Sequence, residues 1–164
     1  MDLTLINKHW QEGYTYNIPF KRTLYEKLRQ HLEVKFILSI VGLRRTGKTT
    51  LLRQLIDFLI IEKKVPRQNI FYYSFDEPAE WQKVVNDFLK SSEQELQGQP
   101  LYFFLDEVQK LDDWQSKIKI YYDHYPNLKF VVSGSSSVFI RKKSESLAGR
   151  ILEFTLLPLS FSEF

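Results

Sequence analysis

One stretch limits what this chain can fold into more than any other. It is "SIVGLRRTGKTTLL", residues 39–52, where Gly42, Gly47, Lys48 and Thr49 stand at a fixed spacing between two apolar runs. Gly42-Leu43-Arg44-Arg45-Thr46-Gly47-Lys48-Thr49 fits G-x-x-x-x-G-K-[ST], the Walker A pattern of a phosphate-binding loop. Each fixed position has a physical job. The glycines let the backbone curl so that successive N–H groups face an anion with no Cβ in the way. Lys48 brings a mobile positive charge to the β- and γ-phosphates, and Thr49 offers a hydroxyl to Mg²⁺. The helix that opens at Lys48 and continues through Thr50 aims its dipole at the same anion. The binding segment is therefore expected to be Gly42 to Thr50. Arg44 and Arg45 either approach the phosphates or a neighbouring subunit, or are simply solvated.

Such a loop needs a strand before it and a helix after it, and the apolar pattern supplies both. "FILSIVG" (36–42) reads as a strand, and Leu51, Leu52, Leu55, Ile56 and Leu59 mark one face of a helix. Further strands are expected at "NIFYYSF" (69–75), "LYFFLD" (101–106), "LKFVVSG" (128–134) and "RILEFTLL" (150–157). Helix faces alternate with them. Phe20, Leu24, Leu28 and Leu32 make one, and Trp81, Val84, Val85, Phe88 and Leu89 a second. Trp114, Ile118, Tyr121 and Tyr122 make a third, capped by Asp112 or Asp113. Strands this apolar on both faces suit a parallel sheet covered by helices on each side, a three-layer α/β fold.

A second acidic motif discriminates between chemistries. "YFFLDE" (102–107) has the form of a Walker B strand. Asp106 at its end would hold Mg²⁺, directly or through water, and Glu107 would polarise a water for in-line attack on the γ-phosphate. Kinases that pass phosphate to a hydroxyl have less use for Glu107. ATP hydrolases with an added central strand usually carry such a glutamate, and they end the added strand in a polar residue. "LKFVVSGSSS" would be that strand, ending in Ser133, Gly134, Ser135 and Ser136. Ser133 is the candidate γ-phosphate sensor; the competing reading is a Ser/Gly turn closing a strand.

Composition narrows the setting. With 164 residues, 43 % of them hydrophobic, the chain can build one proper core. It has no cysteine, which excludes disulfides and thiolate metal sites and makes a reducing, cytoplasmic compartment the expectation. The N-terminus lacks the pattern of a signal peptide, and no apolar run approaches the ~18 residues a membrane span requires. A net charge of +3 is met equally well by a lysine-rich surface and by nucleic-acid binding. "LLPLSFSEF" is still apolar where the chain stops at Phe164, so further domains are expected beyond it.

With these residues assembled, the chain resembles a family of prokaryotic predicted ATPases of the AAA+ superfamily. The resemblance rests on "GLRRTGKTTLLRQL", "FFLDEVQKLDDWQSKIK", "KFVVSGSSS" and "ESLAGRILEFTLLPLSFSEF", most of residues 36–164. It implies a P-loop NTPase core with strand order 5-1-4-3-2 over residues 36–164. Residues 1–35 would form a helical lead-in, and a C-terminal lid and further domains would lie outside this chain. It also implies Lys48 and Thr49 for phosphate and Mg²⁺, Asp106 for Mg²⁺, Glu107 as catalytic base and Ser133 as sensor. Arg150 stands where an arginine acting across a homo-oligomer interface could lie, or else forms an ion pair with Glu145 or Glu153. "NIPFKR" (17–22) could cover the adenine. Without the lid, a chain ending here should bind ATP or ADP better than it hydrolyses ATP.

Three functional readings follow. The leading one is an ATPase core whose hydrolysis drives change in further domains or partners, DNA or protein. A small-molecule or nucleotide kinase is the second, with "RKKSESLAGR" as a basic lid. The third is a non-hydrolysing nucleotide switch or DNA-associated module using Arg141, Lys142 and Lys143.

Overall fold

Five strands form one all-parallel sheet: β1 (Ile37–Gly42), β2 (Ile70–Ser74), β3 (Leu101–Asp106), β4 (Leu128–Ser135) and β5 (Ile151–Leu156). Their spatial order is β2-β3-β4-β1-β5, which read from the other edge is the expected 5-1-4-3-2. Strand β4 is thus inserted between the strand that feeds the 42–49 loop and the strand that ends in Asp106. The computed structural model describes residues 3–76, 80–93, 99–135, 147–161 and 163. Ser136, Arg141, Lys142, Lys143 and Glu145 lie outside the described residues.

Side chains alternate across the pleat, so each strand feeds two cores. On one face Phe71, Tyr73, Phe103, Leu105, Phe130 and Val132 meet helices α4 (Trp81–Glu93) and α5 (Trp114–His124). On the other, Leu38, Ile40, Tyr72, Tyr102, Phe104 and Val131 meet α2 (Thr23–His31) and α3 (Lys48–Ile61). Every residue of β1 and β3 is buried, as a doubly covered parallel sheet requires. Each large side chain so enclosed contributes about 1.5–3 kcal/mol.

Two local expectations need correction. Phe20 does not belong to the α2 face: the helix begins at Thr23, and Phe20 is half exposed in the preceding extended segment. Its carbonyl instead accepts a hydrogen bond from the Gln54 amide. Tyr25, Leu28 and Leu32 carry the buried face. Asp113 does sit at the N-cap of α5, but in the left-handed region (φ 51°), with no side-chain bond to the helix amides. Its carboxylate accepts the Ser116 hydroxyl at 3.0 Å instead.

The outer edge of β2 is covered by residues 3–16, which include the short helix α1 (Leu3–Ile6). Asn7 Oδ1 accepts the Tyr72 N–H at 2.7 Å, while His9 Nε2 and Trp10 Nε1 both donate to the Ile70 carbonyl, at 2.9 and 2.7 Å. Side chains thereby satisfy ladder groups that an open edge would leave exposed. Among the described residues, no helix is long and apolar enough to cross a membrane.

Candidate functional site

The loop from Gly42 to Thr49 lies at the C-terminal end of β1, where α3 starts. Gly42 is required by close approach: a Cβ there would stand 2.5 Å from the Leu156 carbonyl of β5. Gly47 takes φ +98° and is the N-cap of α3, so no side chain caps the first amides of that helix. Thr46 Oγ1 donates to the Leu43 carbonyl at 2.9 Å and closes the curl. Lys48, only 4 % exposed, reaches back over the loop and donates to the carbonyls of Gly42 (3.2 Å) and Leu43 (2.9 Å). Leu43, Arg44, Arg45 and Thr50 are exposed. The result is a cradle of backbone N–H groups with one buried ammonium, the chemistry that holds polyphosphate.

Asp106 is the hub of the facing wall. It is 2 % exposed and accepts four hydrogen bonds, from three other elements and from its own turn. Thr49 Oγ1 donates from α3 at 2.5 Å and the Tyr72 hydroxyl from β2 at 3.2 Å. The Ser133 hydroxyl donates from β4, and the Glu107 N–H at 3.1 Å. Burial, followed by the charge of Asp106, pushes the Tyr72 phenol well above its usual range, so it stays a donor. One hydroxyl and one carboxylate oxygen in contact form a hard oxygen donor pair, which fits the chemistry of Mg²⁺. Among the described residues no three His, Asp or Glu side chains cluster elsewhere to hold a metal.

Glu107 follows in the left-handed region (φ 56°), an uncommon backbone for a residue with a side chain. The turn throws its carboxylate off the strand, where the Gln109 amide donates to it. Gln109 Oε1 in turn accepts the Ser135 N–H at 3.3 Å, linking this carboxylate to the end of β4.

Thus Lys48, Thr49, Asp106, Glu107 and Ser133 converge at the C-terminal ends of β1, β3 and β4. Arg150 does not join them. It precedes β5 at the opposite end of the sheet, and six residues of strand, roughly 20 Å, separate it from the Leu156 that pairs with Gly42. Its guanidinium pairs with Asp123 at 3.1 Å, rather than with Glu153. Action on a nucleotide in its own subunit is excluded by that distance.

Three site residues escaped the sequence. Tyr72 and Gln109 are two. The third is Arg22, the last residue of the 17–22 segment. It is 8 % exposed and donates to Thr46 O (2.8 Å) and Leu157 O (2.7 Å), while its Nε meets Glu163 at 3.0 Å. Hydrogen bonds from Arg22, then Thr23, hold the Glu163 carboxyl far below the usual carboxylate range. The segment is therefore tied to the loop and to the end of β5. The strand alternation placing Tyr72 on the Asp106 face was a readable signal, though no spacing in the sequence pairs the two.

Comparison with known proteins agrees with this architecture. A family model described as AAA domain matches residues 34–164. An uncharacterized protein of Haemophilus influenzae is 31 % identical over 143 residues, covering 85 % of this chain and 35 % of the relative. An uncharacterized protein of Methanocaldococcus jannaschii is 30 % identical over 159 residues, covering 91 % of this chain and 33 % of the relative. The chain thus spans about a third of the length of these curated relatives. Among solved structures, Drosophila ORC bound to DNA aligns with a TM-score of 0.60 at 12 % identity, covering 98 % of both chains. The Aeropyrum pernix ORC1 protein in complex with DNA aligns at 0.65 and 15 % identity, covering 96 % of this chain and 50 % of the other. At such identities the likeness is one of fold.

Proposed function

The chain belongs to the AAA domain family, and from that premise we propose that it is an ATP-binding core that hydrolyses ATP with Mg²⁺. The observation that carries this reading is the contact between Thr49 and Asp106, with Glu107 next in the chain and Ser133 on the inserted strand. Gly42 to Thr50 bind the phosphates through backbone amides, and the Lys48 ammonium leaves the loop carbonyls for the β- and γ-phosphate oxygens. Thr49 and Asp106 would hold Mg²⁺, which when bound would neutralise charge building on the phosphates. Glu107 takes a proton from the attacking water, whose oxygen bonds to the γ-phosphorus as the bond to ADP breaks. Ser133 orients that water or senses the phosphate, and Gln109 steers the Glu107 carboxylate.

Residues 36–164 are the catalytic core and residues 1–35 its lead-in. Hydrolysis drives conformational change in domains or partners beyond this chain, in the cytoplasm. Because the two solved structures named above are bound to DNA, a DNA partner is one such target. Arg150 then acts across a homo-oligomer interface, exchanging Asp123 for a neighbour's phosphate.

The test is calorimetric titration of Mg²⁺ with ATP and with ADP into this protein and into Lys48→Ala. Micromolar affinity, about −8 kcal/mol, lost in the variant, is expected. Absence of heat from the folded parent protein and from a longer form of it would sink the reading.

A further inference from the structure

The C-terminal ends of β2 and β3 face residues 5–16 across a cleft of about 400 Å³, within the range of small-ligand pockets. Its lining includes the Thr49–Asp106 pair together with Leu5, Lys8 and Tyr16, which lie upstream of the family-matched residues. Arg53 lines it too, one turn along α3 from Thr49 and on the same helix face.

Arg53 has a charge with no counter-ion. Among the described residues no carboxylate pairs with it. The acid one turn further along, Asp57, is occupied: its two oxygens accept the N–H groups of Tyr16 and Asn17, both at 3.0 Å. The guanidinium instead lies over the Tyr16 ring, 5.4 Å from its centroid. That contact restrains the side chain while leaving its N–H fork open for a planar or tetrahedral oxyanion. Of the two acids that line the cleft, Asp76 is matched by Lys110 and Asp106 already accepts four hydrogen bonds. Lys8 adds a second positive charge, and the Tyr72 and Ser74 hydroxyls line the path from Asp106.

We propose that this cleft is an oxyanion site, with inorganic phosphate as its ligand and Arg53 as its principal contact. It rests on the function proposed above: phosphate cut from ATP beside Thr49 and Asp106 would pass along the cleft to Arg53 rather than leave past the bound ADP. The site is a second one, beyond the loop that holds the nucleotide.

The experiment is titration of inorganic phosphate into the protein saturated with ADP and Mg²⁺, so that the loop is filled. It is repeated on Arg53→Gln, Arg53→Lys and Lys63→Gln. Lys63 is a surface residue beyond the far end of α3 and controls for net charge. Thermal melts confirm folding, and ADP affinity is measured on each protein. The expected result is phosphate affinity weakened at least ~10-fold in Arg53→Gln, the loss of one charged hydrogen-bond partner. Arg53→Lys should recover part of it, with ADP affinity and the Lys63→Gln isotherm unchanged. No phosphate binding by the parent, an unaltered isotherm in Arg53→Gln, or an equal loss in Lys63→Gln would overturn the proposal. Should ADP itself fail to bind, titration of the longer form decides the ATPase reading separately, and the same phosphate isotherms without ADP still decide the role of Arg53.

Discussion

Asp106 shows how a buried charge is kept affordable: four donors from α3, β2, β4 and its own turn surround one carboxylate. Removing one donor leaves the others intact, so Tyr72→Phe should cost about 1.5–3 kcal/mol in urea unfolding. A loss below ~0.5 kcal/mol would mean that the phenol is replaceable by water. Glu107 differs in lying off the strand, and the proposed function makes it the base. Glu107→Gln should keep nucleotide affinity while lowering hydrolysis by ~10²- to 10⁴-fold, read by phosphate release. An unchanged rate would remove Glu107 as base. Sequence motifs exposed these acids through spacing; Tyr72 has no motif, because only strand pairing brings it within reach.

Among the elements, the segment over the β2 edge is the one most sensitive to conditions. His9 is fully buried, donating through Nε2 to Ile70 O and facing the Tyr16 hydroxyl at 3.2 Å. Burial lowers its pKa from 6.5 to about 4, against the opposing bond to Ile70 and with help from Arg67. The folded form therefore resists protonation that the unfolded chain accepts. Its contribution is complete above pH ~6.5 and is lost as pH falls through about 4, at most about 3 kcal/mol. In His9→Gln the stability difference between pH 7 and pH 4.5 should shrink by about 2–3 kcal/mol, measured by urea titration. An identical pH dependence in parent and variant would place the acid sensitivity elsewhere. On the opposite face, Phe88 stacks between Phe71 (4.7 Å) and Trp10 (6.0 Å), joining α4, β2 and the N-terminal segment. Phe88→Ala should cost about 3–5 kcal/mol, and a loss under ~1 kcal/mol would deny that packing.

For the whole molecule, ligand binding and stability are linked because the site draws on β1, β2, β3, β4 and α3 at once. Mg²⁺ with ATP at one hundred times its Kd should add about 2.7 kcal/mol. For a chain of this size that raises Tm by roughly 5–10 °C. Lys48→Ala should abolish the shift, and a shift surviving that change would locate binding away from the loop.

Much of this was readable from local pattern. The 42–49 loop, the strand ending in Asp106, five apolar strands and the helix faces between them depend on neighbours in sequence, and local spacing determines them. A resemblance added the strand order. Other features were decided by chain pairing over long separations. Parallel alignment of β2 with β3 put Tyr72 beside Asp106, and the sheet's direction carried Arg150 to the end away from the loop. The return of residues 3–16 onto β2 built the cleft around Arg53. Such contacts join residues tens of positions apart, where no periodicity survives; only the packed sheet selects which side chains meet.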